Sequence, residues 1–200
     1  MINKLFQITI VLILFFNLSK VVIAEENQNL ANFIIRNYES TVLPVVGSSD
    51  ADFTIIEFFD YRCGYCSKQA NDFQRLLINS DNVKIIYMEW PIFGDISETA
   101  AKIALIVWQT NPQLYFDVHN QFMKLGPKMK KESIVKVLNE LDLNGNDIFQ
   151  EAVSQNSNKI IEENIKLAHS LGLRGTPASI INDSIYPGYI QYKTLETLIK

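Results

Sequence analysis

The chain has 200 residues, 48% of them hydrophobic and 20% charged, with a formal net charge of −4. That is one domain's worth of chain with enough apolar side chains for a core, and the balance excludes intrinsic disorder. No run of basic residues is longer than Lys130-Lys131, which excludes general nucleic-acid binding, since that needs a concentrated basic face.

The first stretch has the pattern of an export signal. Lys4 precedes an apolar core from Leu5 to Leu18, a polar break follows at Ser19-Lys20, and then Val22-Ile23-Ala24. Val22 and Ala24 suit positions −3 and −1 of a signal peptidase site, with cleavage before Glu25. The apolar core is shorter than the about 20 residues a membrane span needs. A cleaved leader over residues 1–24 is therefore expected, with an uncleaved anchor as the alternative. Its loss would remove Lys4 and Lys20 and no acid, taking the net charge from −4 to −6.

Residues 25–47 form an N-terminal extension ahead of the domain expected over 48–200. Leu30, Phe33, Ile34, Ile35 and Tyr38 give it a short helical pattern, and residues 42–46 read as a brief strand ending at Gly47. Ser48-Ser49-Asp50 is turn chemistry. Residues 52–59 are nearly all apolar, as in a strand buried on both faces. A helix should run from Cys63 to about Ile78, with Ala70, Phe73, Leu76 and Leu77 on one face. A second strand spans residues 83–90, stopped by Pro91. Strand, helix and strand make a βαβ unit, with parallel strands.

Residues 97–171 contain no convincing strand and read as an inserted helical block. Ser97 with Glu98 opens its first helix, and Pro112 and Gly126-Pro127 divide it. Further helices are expected over 113–125, 131–141, 146–153 and 158–171. After Gly172-Leu173-Arg174-Gly175-Thr176-Pro177 come strands at 178–182 and 184–186, turning at Asn182-Asp183, and a terminal helix over 192–200.

Cys63 and Cys66 are the only cysteines. An exported chain lives in an oxidising compartment, where two cysteines ordinarily staple the fold. A bridge closing so short a loop constrains the unfolded chain little, so this spacing favours redox chemistry over structure. At a helix N-terminus, the dipole and free N–H groups stabilise a thiolate on the first sulfur. Structural zinc needs about four ligands. The remaining candidates, His119 and His169, lie far along the chain and are expected to be ordinary helix residues, so no metal site is assigned. A copper-handling dithiol stays open, although no methionine- or histidine-rich cluster supports it.

Glu57 interrupts an apolar run. Buried, it would have a raised pKa and could relay the proton of Cys66; otherwise it marks an exposed strand end. Asp60 is expected to cap a loop and Arg62 to point to solvent. Tyr61 and Tyr65 are expected to form an apolar lip, and Lys68 is assigned no role.

A strand ending Glu57-Phe58-Phe59-Asp60-Tyr61 before C-x-x-C, a helical block, and Arg174-Gly175-Thr176-Pro177-Ala178 before a hairpin and final helix resemble the DsbA-like thioredoxin-fold proteins. These are exported thiol–disulfide oxidoreductases, and the resemblance covers roughly residues 50–200. It implies an α/β thioredoxin fold with the helical insertion between the βαβ unit and a C-terminal ββα unit. By the same resemblance Cys63 is the exposed nucleophile, Cys66 the buried resolving thiol, and Gly64 and Tyr65 the variable dipeptide. Thr176-Pro177 becomes the loop facing the disulfide, with a cis proline, and Glu57 matches an acid beneath the active site in several members.

The implied partners are unfolded or partly folded cysteine-containing secreted proteins, with a further redox partner that reoxidises or reduces the dithiol. No cofactor beyond the Cys63–Cys66 disulfide is implied, and the implied compartment is the periplasm. The strong-oxidase pattern carries Pro-His between its cysteines. Gly64-Tyr65 and the threonine before the proline look more like the periplasmic isomerases, but residues 25–47 are too short for the oligomerising arm of some of those. The expectation is an oxidase of modest strength, with a potential between about −120 and −270 mV. Alternatives are an isomerase or reductase of the same fold and a non-enzymatic copper- or peptide-binding module.

Overall fold

The computed structural model describes residues 30–37 and 43–199. The expected leader over 1–24 lies outside the described residues. In chain order the elements are α1 (Leu30–Asn37), β1 (Val45–Gly47), β2 (Phe53–Phe59), α2 (Gly64–Asn79) and β3 (Val83–Glu89). The helical block follows as α3 (Asp95–Thr110), α4 (Tyr115–Leu125), α5 (Lys131–Glu140), α6 (Gly145–Ser154) and α7 (Lys159–Ser170). The chain then returns to the sheet as β4 (Ala178–Ile181) and β5 (Ser184–Pro187) and finishes with α8 (Tyr192–Leu198).

One five-stranded sheet, ordered β1-β3-β2-β4-β5, carries all of this. β2 and β3 are parallel, in register from Phe53 opposite Val83 to Phe59 opposite Glu89. β4 runs antiparallel to β2, and β1 antiparallel to β3. The strand expected at 42–46 is β1, and its ladder starts only at Val45. Pro44 has no N–H to donate, although its carbonyl still accepts from Tyr87 N at 2.9 Å.

Alternation along the two central strands builds two cores. Ile55, Phe59, Ile85 and Tyr87 turn to the face covered by α2, α4 and part of α3. Ile56, Phe58, Ile86 and Met88 turn to the other, with Ala31 and Ile34 of α1 and Ile160, Ile161 and Ala168 of α7. Being buried on both faces is why these strands read as almost unbroken apolar runs.

α3 starts at Asp95, two residues before the expected Ser97. Gly94, at φ 88°, supplies the turn, and the Ser97 hydroxyl is engaged elsewhere, 2.8 Å from Asp60 Oδ1. At the opposite pole, Leu30 N donates to Asp183 Oδ1 at 2.6 Å and Ala31 N to Asn182 O at 3.1 Å. Because β4 is antiparallel to β2, this Asn182-Asp183 turn lies at the far end of the sheet from Cys63.

Candidate active site

β2 delivers the chain to the first turn of α2, and Cys63 is the N-cap of that helix in an extended conformation, φ −79° and ψ 118°. Its sulfur accepts from Cys66 N at 3.3 Å and lies 3.3 Å from Thr176 O, to which the thiol donates. Both cysteines are free thiols, so this is the reduced dithiol. Cys63 keeps 5% of its surface exposed and Cys66 none.

The two sulfurs titrate in opposite directions. The hydrogen bond from the Cys66 thiol does most to draw Cys63 down to about 6, helped by Thr176 and the backbone of Cys66 and Tyr65, against the opposing effect of burial. Burial pushes Cys66 far above the ordinary thiol range, with the Cys63 thiol and the Glu57 carboxyl adding to it. A thiol drawn down in this way is a better nucleophile and leaving group than an ordinary one, while the raised Cys66 thiol stays protonated.

The wall opposite α2 is the Thr176-Pro177 loop, whose peptide bond is cis. Gly188 N donates to Pro177 O at 2.8 Å and ties the loop to the end of the β4–β5 hairpin. Two residues beyond Gly188, Ile190 is held by Gln69 through both its backbone groups, at 2.7 and 3.2 Å, which fixes α2 against the segment leading into α8.

Glu57 is wholly buried in central β2, paired across the sheet with Tyr87 on β3 and Ser179 on β4. The exposed-end alternative is therefore overturned. Neither carboxyl oxygen meets a hydrogen-bond partner among the described residues. Burial first, and the charge on Cys63 second, hold its pKa well above the ordinary carboxylate range.

Asp60 caps more than a loop. Oδ1 accepts from Arg62 N at 2.7 Å and Ser97 Oγ at 2.8 Å, while Oδ2 accepts from Ile92 N at 2.6 Å and Phe93 N at 2.9 Å. One carboxylate thus joins the approach to the dithiol, the segment after β3 and the start of α3. Arg62 corrects the expectation: its Nη1 donates to Phe93 O at 2.8 Å instead of pointing to solvent.

Tyr61 is the second correction. It is buried, edge-on to Phe59, Phe122 and His119, with its hydroxyl 3.3 Å from His119 Nδ1. The exposed apolar side chains here are Tyr65, Ile92 and Phe93. Lys68 is exposed, with Nζ 4.9 Å from the centre of the Tyr65 ring.

A second buried polar group escaped the sequence reading. Tyr115 donates to Glu89 Oε1 at 3.2 Å, and His119 lies 4.2 Å from the Tyr87 ring, centre to centre. Burial lifts Glu89 to about 8 and drops His119 to about 3. The available signal was parity, because Glu89 is two positions beyond the residue opposite Glu57 and must share its face. The His169 ring lies edge-on to Trp90, 5.9 Å between centres. Among the described residues, no three His, Cys, Asp or Glu side chains are grouped to hold a metal ion.

These features define a thioredoxin-fold domain with an asymmetric dithiol at the N-terminus of α2. Residues 54–200 match the family model of the DSBA-like thioredoxin domain, and the chain belongs to that family of thiol–disulfide oxidoreductases. Disulfide bond formation protein D of Bacillus subtilis is 25% identical over 167 residues, covering 78% of this chain and 75% of the relative. The thiol-disulfide exchange protein alpha-DsbA2 from Wolbachia pipientis superposes with a TM-score of 0.71 at 29% identity, covering 82% of this chain and 91% of its own. A periplasmic thioredoxin-like protein from Salmonella enterica serovar Typhimurium gives 0.68 at 26% identity, covering 83% and 92%.

Proposed function

We propose that the protein oxidises cysteine pairs in unfolded or partly folded secreted proteins, working in the periplasm as an oxidase of modest strength. The observation that carries this is the split between the sulfurs, with Cys63 drawn down to about 6 and Cys66 pushed far up. A low thiol pKa stabilises the reduced enzyme and so makes its disulfide an oxidant. Such thiols range from about 3.5 in the strongest oxidants to about 7 in thioredoxin types, and this one lies between them.

In the oxidised enzyme a substrate thiolate attacks Cys63 Sγ, the Cys63–Cys66 bond breaks, and Cys66 departs and takes up a proton. Glu57 is the buried acid assigned to supply it. The second substrate thiolate then attacks the substrate sulfur of the mixed disulfide. Cys63 leaves as a thiolate, held by Cys66 N–H and its own position at the helix N-terminus. The substrate has lost two electrons, the enzyme holds them as the dithiol, and a separate redox partner must remove them. Thr176 O, beside Cys63, offers a backbone acceptor to an extended substrate strand.

The potential measured against glutathione tests this reading. A value between about −120 and −270 mV, with oxidation of a reduced unfolded protein lost in Cys63→Ser, is expected. A monomer fits the oxidase. A dimer or trimer that reshuffles scrambled disulfides from its reduced form would replace this reading with an isomerase. Stoichiometric copper binding without exchange would replace both.

A further inference from the structure

Between Asp117 and Glu140 the chain carries five lysines and one acid, Glu132, although the protein as a whole is net negative. Lys124, Lys128, Lys130 and Lys131 are all exposed, and none forms an ion pair among the described residues. The fifth, Lys136, lies 3.7 Å from Glu140.

The segment is fixed beside the dithiol. Ser67 Oγ lies 2.7 Å from Met123 O and 3.3 Å from Cys63 O, so one hydroxyl spans from the lysine segment to the nucleophile's own carbonyl. Gly126 completes the fit, since a Cβ there would come within 3.1 Å of the same oxygen. Ser67 is about one helical turn, roughly 5 Å along the axis, from Cys63. Met123 and Gly126, on either side of Lys124, therefore border the site, and exposed charges act over about 8 Å at physiological ionic strength.

We propose that Lys124, Lys128, Lys130 and Lys131 form a docking surface for acidic stretches of the polypeptide whose cysteine meets Cys63. This rests on the exchange reading above and names the substrate class within it. A polypeptide fits better than a lipid surface. Membrane-lying segments set cations beside an apolar face, whereas Phe122, Met123 and Met129 turn inward here. None of the large hydrophobics exposed among the described residues falls between Phe93 and Val153. Steering of this kind changes association rates by about 10- to 1,000-fold and fades with salt.

The test uses the oxidised protein and two peptides, each with one cysteine pair, flanked by Asp and Glu in one and by Lys and Arg in the other. Uncharged dithiothreitol is the reference reductant. At low salt the acidic peptide should reduce the protein about tenfold faster than the basic one despite the protein's net negative charge, with the gap closing as sodium chloride is raised. The quadruple variant Lys124→Glu, Lys128→Glu, Lys130→Glu, Lys131→Glu should reverse the preference and keep its rate with dithiothreitol, and Lys136→Glu should change neither. Equal peptide rates, or a faster basic peptide, alongside normal reaction with dithiothreitol would overturn the docking surface alone. Binding to vesicles rich in phosphatidylglycerol with no peptide preference would overturn it in favour of a membrane. Failure of all three reductants would overturn the exchange reading, and this surface with it.

Discussion

Cys63 and Cys66 are three positions apart, yet one sulfur is held as a near-neutral acid and the other as a thiol that does not ionise in the working range. Since Cys63 is lowered in the folded protein, its contribution to the stability of the reduced form is fully present above the ordinary thiol range and is lost as pH falls through about 6. Alkylation of the reduced protein should show a midpoint near pH 6 at Cys63, with Cys66 unmodified until the protein unfolds; a midpoint near 8.5 would refute the assignment. Glu57→Gln should slow formation and resolution of the mixed disulfide by about tenfold or more while leaving the Cys63 midpoint near its place. Unchanged rates would remove Glu57 from the mechanism. The placement of Cys63 and Cys66 at the start of α2 was legible from their spacing after an apolar strand, and that of Thr176-Pro177 beside them from the family resemblance. Tyr61 and Arg62 were not, since their directions are set by α4 and by the loop at Phe93, both remote in sequence.

The elements themselves were read well where period and punctuation agreed. α5, α6 and α7 fall close to their expected bounds because each has an apolar stripe between clear breaks, with Asn144 and Asn158 capping the latter two through their side chains. α3 was placed late because Ser97 has the look of an N-cap, and nothing local reveals that Asp60, 37 residues earlier, claims its hydroxyl. Packing between elements was the least legible level. Gly145 shows why, since a Cβ there would lie 2.6 Å from Val135 O and 2.9 Å from Asn139 Oδ1, so α5 and α6 touch backbone to backbone. Gly145→Ala should destabilise the fold by about 1–3 kcal/mol, measured by denaturant midpoint, with the m-value unchanged. An unchanged midpoint would mean that the two helices separate freely.

At the scale of the whole molecule, the sheet divides two cores, and the one beneath the dithiol also holds two buried acids. Glu89, at about 8, is raised above its ordinary 4.5, so its contribution is fully present below about 4.5 and is lost as pH rises toward 8. That slope opposes the one from Cys63. Glu89→Gln keeps an acceptor for Tyr115 and removes the titration, so it should raise stability at pH 8 by on the order of 2 kcal/mol and leave pH 4.5 unchanged. Equal stability gains at both pH values would show that the group is not titrating. The polarity of the fold has a practical side as well. α1 is fastened to the Asn182-Asp183 turn, at the pole facing away from Cys63. A bead, electrode or carrier coupled through that turn would present the dithiol outward to solution, whereas coupling through Tyr65 or Phe93 would cover it.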